Sequence, residues 1–157
     1  KSKIFLTGII ILFFIQFIFF AQKLYFLAPN EYSRFWSYPA KEASEIAIEN
    51  KGQYDFVILS DEIDALEFAY PVYAKIEPKE VISQNLTKTN LGNSQFKKLD
   101  NVYIGYVPDG ETEQLINDLA GSVLYIGLPK MSDFLKNYET ITGKDNLPAL
   151  VLKRRKV

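Results

Sequence analysis

The residues able to do chemistry are few and lie in short groups. Ser60-Asp61-Glu62-Ile63-Asp64 follows the apolar run Tyr54–Ser60 and sets three carboxylates within four positions. Such a group can hold a divalent cation or exchange protons, and Asp61 or Asp64 can instead cap the helix that follows. Capping with a solvated first turn is the ordinary use of the pattern, so Asp61, Glu62 and Asp64 stand as a candidate ligand site at a strand end. The stretch Val107–Glu113, VPDGETE, repeats the arrangement and carries the same expectation. The chain has no cysteine and no histidine, which removes disulfides, thiolate and imidazole metal ligands, cysteine nucleophiles and Ser-His-Asp catalysis together. No glycine-rich phosphate loop of the dinucleotide or Walker type follows any strand.

Aromatic residues form the second group. Tyr32, Arg34, Trp36 and Tyr38 lie within seven positions just after a long apolar run. Rings with polar tips prefer the membrane–water boundary, so an interfacial belt is the first expectation. A sharper one is contact with a lipid headgroup or lipid-linked substrate, with the Arg34 guanidinium near a phosphate. The stretch Phe68–Tyr73, FAYPVY, suits either core packing or stacking on a sugar, with packing the ordinary outcome.

The charge pattern narrows the partners. Lys1 and Lys3 precede the apolar run, and the remaining 16 basic and 19 acidic residues leave the rest at −3, so nucleic acid is not expected as a partner. The dense basic run Lys153-Arg154-Arg155-Lys156 reads as a solvated or anionic-surface tail. Asn85-Leu86-Thr87 matches a glycosylation sequon, a pattern too common to carry weight.

Stepping outward to the elements, Ile4–Ala21 is 18 residues without charge, and Leu24–Leu27 extends the apolar character to about 36 Å of helix, against a bilayer core of about 30 Å. Apolar residues fall on every side of the helical wheel, interrupted only by Thr7, Gly8 and Gln16. A cleaved signal has a shorter apolar region and a small-residue cut site, which FFAQKLYF does not offer. A soluble core helix greasy on all sides needs a larger surrounding fold than this chain supplies. The reading is a transmembrane helix with its N-terminus cytoplasmic and the following domain extracytoplasmic at the cell membrane. Gln16 suits a neighbouring helix better than lipid. With Lys at position 1, the chain is expected to begin inside a longer protein.

Three segments result: a transmembrane helix over 1–28, an aromatic juxtamembrane segment over 29–39, and an extracytoplasmic domain over 40–157. Within the domain, Pro39 and AKEASEIAIEN predict a helix of about eleven residues ended near Gly52. YDFVILS is a continuous apolar run expected as the central strand, covered on both faces. EIDALEFAYPVYAKI predicts a helix ended or kinked at Pro71. Glu77–Asn101 reads as a loop with at most a short helix or strand near Val81. NVYIGYV, DGETEQLINDLA and SVLYIGL predict strand, helix and strand, and NYETITG with PALVLKR an edge hairpin. The fold class expected is α/β, a small sandwich with a mostly parallel sheet.

The order of a closing span, an aromatic stretch at Trp36 and Tyr38, Lys41-Glu42-Ala43, Tyr54-Asp55 leading a strand, and Tyr73 ahead of Ile76-Glu77-Pro78 resembles the C-terminal end of GT-C superfamily membrane glycosyltransferases, the protein O-mannosyltransferase and aminoarabinose-transferase-like group. The resemblance departs at Pro39, where a glycine is expected, and at Glu77-Pro78, where Asp-Pro is expected. It implies a polytopic parent that uses a polyprenyl-phosphate-linked sugar donor. The partners implied are the lipid bilayer and upstream transmembrane helices of the same protein. The family's catalytic acids lie in an early external loop to which nothing here corresponds, so no catalytic residue and no cofactor is expected in this chain, and any divalent cation belongs to the parent. The external domain would serve assembly or acceptor binding. The competing expectation is a single-pass anchored α/β domain that binds a ligand or protein without enzymatic activity.

Overall fold

The computed structural model describes residues 2–27 and 37–156, the side chains of 2–4 and 85 excepted. Helix α1, Ser2–Gln22, runs on into a π-helical turn, Lys23–Leu27. Phe5–Leu27 spans 23 residues, none of them buried against the rest of the protein, which is long and apolar enough to cross a membrane by length and composition. A signal sequence has the same property, and the helix is compatible with membrane anchoring.

The domain begins at α2, Tyr38–Asn50, with Pro39 in its first turn, where a missing N–H costs nothing. Ala40, Ala43, Ser44 and Ala47 repeat at three and four positions and are buried, so α2 lies close against the sheet through small side chains. Ser44 donates its hydroxyl to the Ala40 carbonyl at 2.6 Å, which satisfies the one polar group on that face. A 3₁₀ turn, Lys51–Gln53, leads to β1, Phe56–Ser60.

Helix α3, Leu66–Tyr73, holds Pro71 inside it, and α4 follows at Pro78–Leu86. Strands β2, Thr89–Leu91, and β3, Ser94–Leu99, form a hairpin about Gly92, whose φ of +56° is the first-position requirement of a tight two-residue turn. Next come β4, Val102–Gly105; α5, Thr112–Asp118; and β5, Val123–Gly127. A 3₁₀ turn over Pro129–Asp133 and the hairpin of β6, Glu139–Thr142, and β7, Pro148–Arg155, complete the chain.

The seven strands form one sheet in the order β2-β3-β4-β1-β5-β7-β6. β1 is central, as its sequence predicts, and pairs in parallel with β4 and β5. The other pairings are antiparallel, so the α/β class and the C-terminal hairpin hold while the sheet is mixed rather than mostly parallel. The cause is local: Leu99 pairs with Val102 across only Asp100 and Asn101, and a two-residue connection cannot return a strand in parallel.

Alternation along the strands divides the core. Val57 and Leu59 of β1, Val102 and Ile104 of β4, and Leu124 and Ile126 of β5 face the layer made by α2 and α3. Ile58, Tyr103, Val123 and Tyr125 face the opposite layer, with Leu115 and Ile116 of α5 and with Met131. Helices on both faces explain why β1 reads as an unbroken apolar run.

Two expectations change. In the segment 77–101 the short helix near Val81 is present as α4, opened by Pro78, but the rest is the β2–β3 hairpin rather than a loop, closed by Gly92-Asn93. The basic run near the C-terminus is no solvated tail, since Lys153, Arg154 and Arg155 belong to β7. Lys153 is buried against Glu113 at 3.3 Å and against the Lys136 carbonyl. Arg154 pairs with Glu139 at 2.7 Å. Arg155 donates to the carbonyls of Asn117, Leu119 and Gly121, tying the end of α5 to the sheet.

Candidate functional site at the carboxyl end of the parallel strands

The three parallel strands β4, β1 and β5 end side by side. The chain leaves β1 toward β4 and then crosses from β4 to β5 on the other flank of β1, so the connections diverge above the carboxyl end of β1. Open α/β sheets hold ligands at such a divergence. The residues delivered there are Ser60, Asp61 and Glu62 after β1, Tyr106 to Asp109 after β4, and Lys130 after β5.

Glu62 and Lys130 join across the strand ends, with Nζ donating to Oε1 at 2.6 Å. The Glu62 side chain is 17% exposed, and its Oε2 is buried without a hydrogen-bond partner. The hydrogen bond to Glu62, more than any other influence, raises the Lys130 pKa and holds the ammonium charged. Asp61 is tied by its backbone N–H to the Gly105 carbonyl at 3.1 Å. Burial, then the charges of Glu62 and Glu67, push its carboxyl pKa up. Beneath them the Tyr125 hydroxyl approaches Ser60 and Thr112. Burial drives its pKa to about 12 although both hydroxyls pull the other way, so it is a neutral donor at physiological pH. Thr112 Oγ1 is itself buried, and none of its contacts meets hydrogen-bond geometry.

The two carboxylates that end β1 therefore differ. Glu62 is held in an ion pair, whereas Asp61 stands beside like charges. Asp61 and Asp64 are both exposed, and Glu62 is the half-buried one of the three. Neither Asp61 nor Asp64 caps α3: the cap position is Ala65, at φ +59°, with no side-chain bond to the helix N-terminus. The connection Asp61–Ala65 instead enters the helix through a turn over Asp64-Ala65, closed by the Leu66 N–H donating to the Ile63 carbonyl at 3.2 Å. Among the described residues no group of three or more carboxylates converges as a metal set.

Of the aromatic group, Tyr32, Arg34 and Trp36 lie outside the described residues. Tyr38 opens α2, with the Lys144 ammonium 5.3 Å from its ring centroid, a cation–π contact that ties α2 to the β6–β7 turn. Burial and a hydrogen bond with Glu42 raise its pKa. Of the rings in FAYPVY, Tyr70 is fully buried in the core, while Phe68 and Tyr73 stand exposed.

Lys130, Tyr125 and Thr112 were not singled out from sequence. A lysine three residues beyond a parallel strand is a signal that could have found the first, because the carboxyl ends of β1 and β5 must adjoin. Thr112 comes in from a helix, and only the crossover places it. The crest offers one paired ammonium, hydroxyls and carboxylate oxygens, which suits hydrogen bonding to a polar ligand more than bond cleavage. Compared with models of known protein families, with curated proteins and with solved structures, the chain finds no match.

Proposed function

We propose that this chain is the last span and non-catalytic external domain of a polytopic membrane glycosyltransferase that uses a polyprenyl-phosphate-linked sugar, with the domain serving assembly or acceptor binding. The observation that carries the membrane part is Phe5–Leu27, along α1 and the π-helical turn: 23 residues of strongly apolar character, none of them buried against the domain that follows. The order of sequence motifs after the span supports the choice of parent. A binding role for the domain is supported by the Glu62–Lys130 pair, which neutralises both partners instead of leaving either free as a nucleophile or base.

The test uses membranes from cells that make the whole protein and from cells in which its gene is deleted. Both are supplied with a labelled polyprenyl-phosphate sugar, and transfer to endogenous acceptor is followed. Transfer is expected only where the protein is made, and Asp61→Asn and Glu62→Gln are expected to retain it at equal abundance. Equal transfer by both membranes would remove the glycosyltransferase reading and leave the single-pass anchored binding domain.

A further inference from the structure

An exposed apolar surface lies on the outer side of α3 and α4. Phe68 and Val72 on α3 are 70% and 73% exposed, and Ile82 and Leu86 on α4 are 61% and 81% exposed. Each pair is spaced i, i+4 and so shares one face of its helix. Between the helices lies a groove of about 340 Å³ floored by Pro71, Ile76 and Val81. Tyr73 adds a half-exposed ring at the end of α3. Isolated exposed apolar residues need no explanation, but five on two adjoining helices form a patch that soluble surfaces seldom carry.

We infer that this patch docks on the bilayer, inserting the Phe68/Val72 and Ile82/Leu86 edge into the headgroup–acyl boundary of the membrane that α1 crosses. The inference rests on the reading of α1 as a span, and three observations choose lipid over a protein occupant. First, ten residues, 28–37, separate the end of the apolar helix at Leu27 from α2, a reach of at most about 35 Å when fully extended. The domain is therefore held close to the bilayer at high effective concentration, and α3 packs directly beside the tethered α2. Second, a stable protein interface takes about 20–30 residues a side, far more than the five side chains offered here. Insertion among lipid chains needs no complementary socket. Third, the link between the helices and the start of α4 carries Lys75, Glu77, Lys79 and Glu80, a balanced set, and Glu67 at the edge of the groove is paired with Lys97, so an anionic leaflet does not repel the edge. Lys75 and Lys79 have stems long enough to reach the phosphates while the apolar edge is immersed.

The chain contains no cysteine, so single cysteines report without background. Phe68→Cys, Val72→Cys and Ile82→Cys replace exposed residues and leave the core intact. The full chain is reconstituted in phosphatidylcholine–phosphatidylglycerol nanodiscs, labelled with an environment-sensitive fluorophore, and challenged with doxyl-labelled lipids. Phe13→Cys reports the span, and Asn117→Cys on α5, in the opposite layer, reports the face turned away. Probes at 68, 72 and 82 are expected to lose about half or more of their emission to the doxyl lipids, as for groups held about 5–10 Å into the boundary, with Asn117→Cys unaffected. Quenching at the span but not at the patch overturns docking. A blue shift at the patch without lipid quenching also overturns it, in favour of a second copy or another protein. No quenching at Phe13→Cys overturns the span itself.

Discussion

Gly105 ends β4 beside the candidate crest, and a single methyl group there tests the fold and the site together. A Cβ on Gly105 would stand 2.6 Å from the Gln95 carbonyl oxygen, 2.7 Å from Cδ1 of Phe96 and 3.2 Å from the Phe96 Cα. Two of these are backbone atoms of β3, and Phe96 is fully buried, so no flexible side-chain end can yield. The oxygen contact falls about 0.8 Å short of ordinary van der Waals separation. Relief requires β3 and β4 to part where Phe96 pairs with Gly105. Overpacking of this kind costs about 1–3 kcal/mol. For a domain between the 100- and 150-residue cases this lowers the melting temperature by roughly 3–15 °C. Gly52→Ala is the matched control, because nothing lies within 4 Å of its added methyl and its backbone is not left-handed. That variant is expected to be neutral or to stabilise by up to about 1 kcal/mol. Thermal unfolding of the reconstituted full chain, followed by the near-UV circular dichroism of its ten tyrosines, separates domain melting from the span helix. The Gly105 carbonyl also accepts the Asp61 N–H, so the β1 crest should loosen with it. A Gly105→Ala melting temperature equal to that of Gly52→Ala would refute the β3–β4 pairing.

Two further outcomes concern pH. The Asp55 carboxylate accepts the Ser122 N–H at 2.7 Å and its hydroxyl at 2.8 Å, and these bonds depress its pKa below 3.8. Its stabilising contribution is present above pH 3.8 and lost as pH falls through the lower folded value. Asp55→Asn should accordingly flatten the acid side of the stability curve, and an unchanged acid-unfolding profile would count against the bond. Tyr70 and Tyr125 are both raised from 10.0 to about 12 by burial. The stability they hold as neutral groups is whole below pH 10 and lost as pH rises through about 12. Ultraviolet titration should show Tyr70 and Tyr125 ionising near pH 12, with one of these late steps lost in Tyr125→Phe, and a titration without any step near pH 12 would contradict the packing.

The parts of the fold that could be read ahead are those whose pattern is set by burial. Tyr54–Ser60 is apolar without alternation because both faces of β1 are covered, and Ala43 and Ala47 mark a helix that lies close on the sheet. The hairpin of β2 and β3 escaped notice because Thr89–Leu91 and Ser94–Leu99 are largely polar. Its signal was the dipeptide Gly92-Asn93, a two-residue turn pattern, set among charges that disguise an edge. Once that hairpin is present, strand direction follows from connection length, and the same rule fixes β7 antiparallel to β6 across the short turn after Thr142. Alternation of strands and helices set the class of the fold, whereas the short turns set the direction of its strands.

The crest shows the corresponding limit for a site. Asp61, Glu62 and Asp64 are adjacent in sequence and look alike there, yet they end in three different surroundings. Glu62 turns to Lys130, 68 residues away; Asp61 lies at the surface with its carboxyl pKa raised by partial desolvation and then by the charges of Glu62 and Glu67; Asp64 lies at the surface at the turn into α3. Their difference arises from what β4 and β5 bring beside them, which no local pattern encodes. A Glu62→Gln variant isolates this difference. Removing the carboxylate charge weakens the hydrogen bond that does most to raise the Lys130 pKa. The Lys130 side-chain signal, followed by carbon-13 NMR, should then titrate at lower pH than in the parent chain. A Lys130 titration identical in both chains would mean that the ion pair does not hold the crest, and the case for a neutralised binding surface there would fall with it.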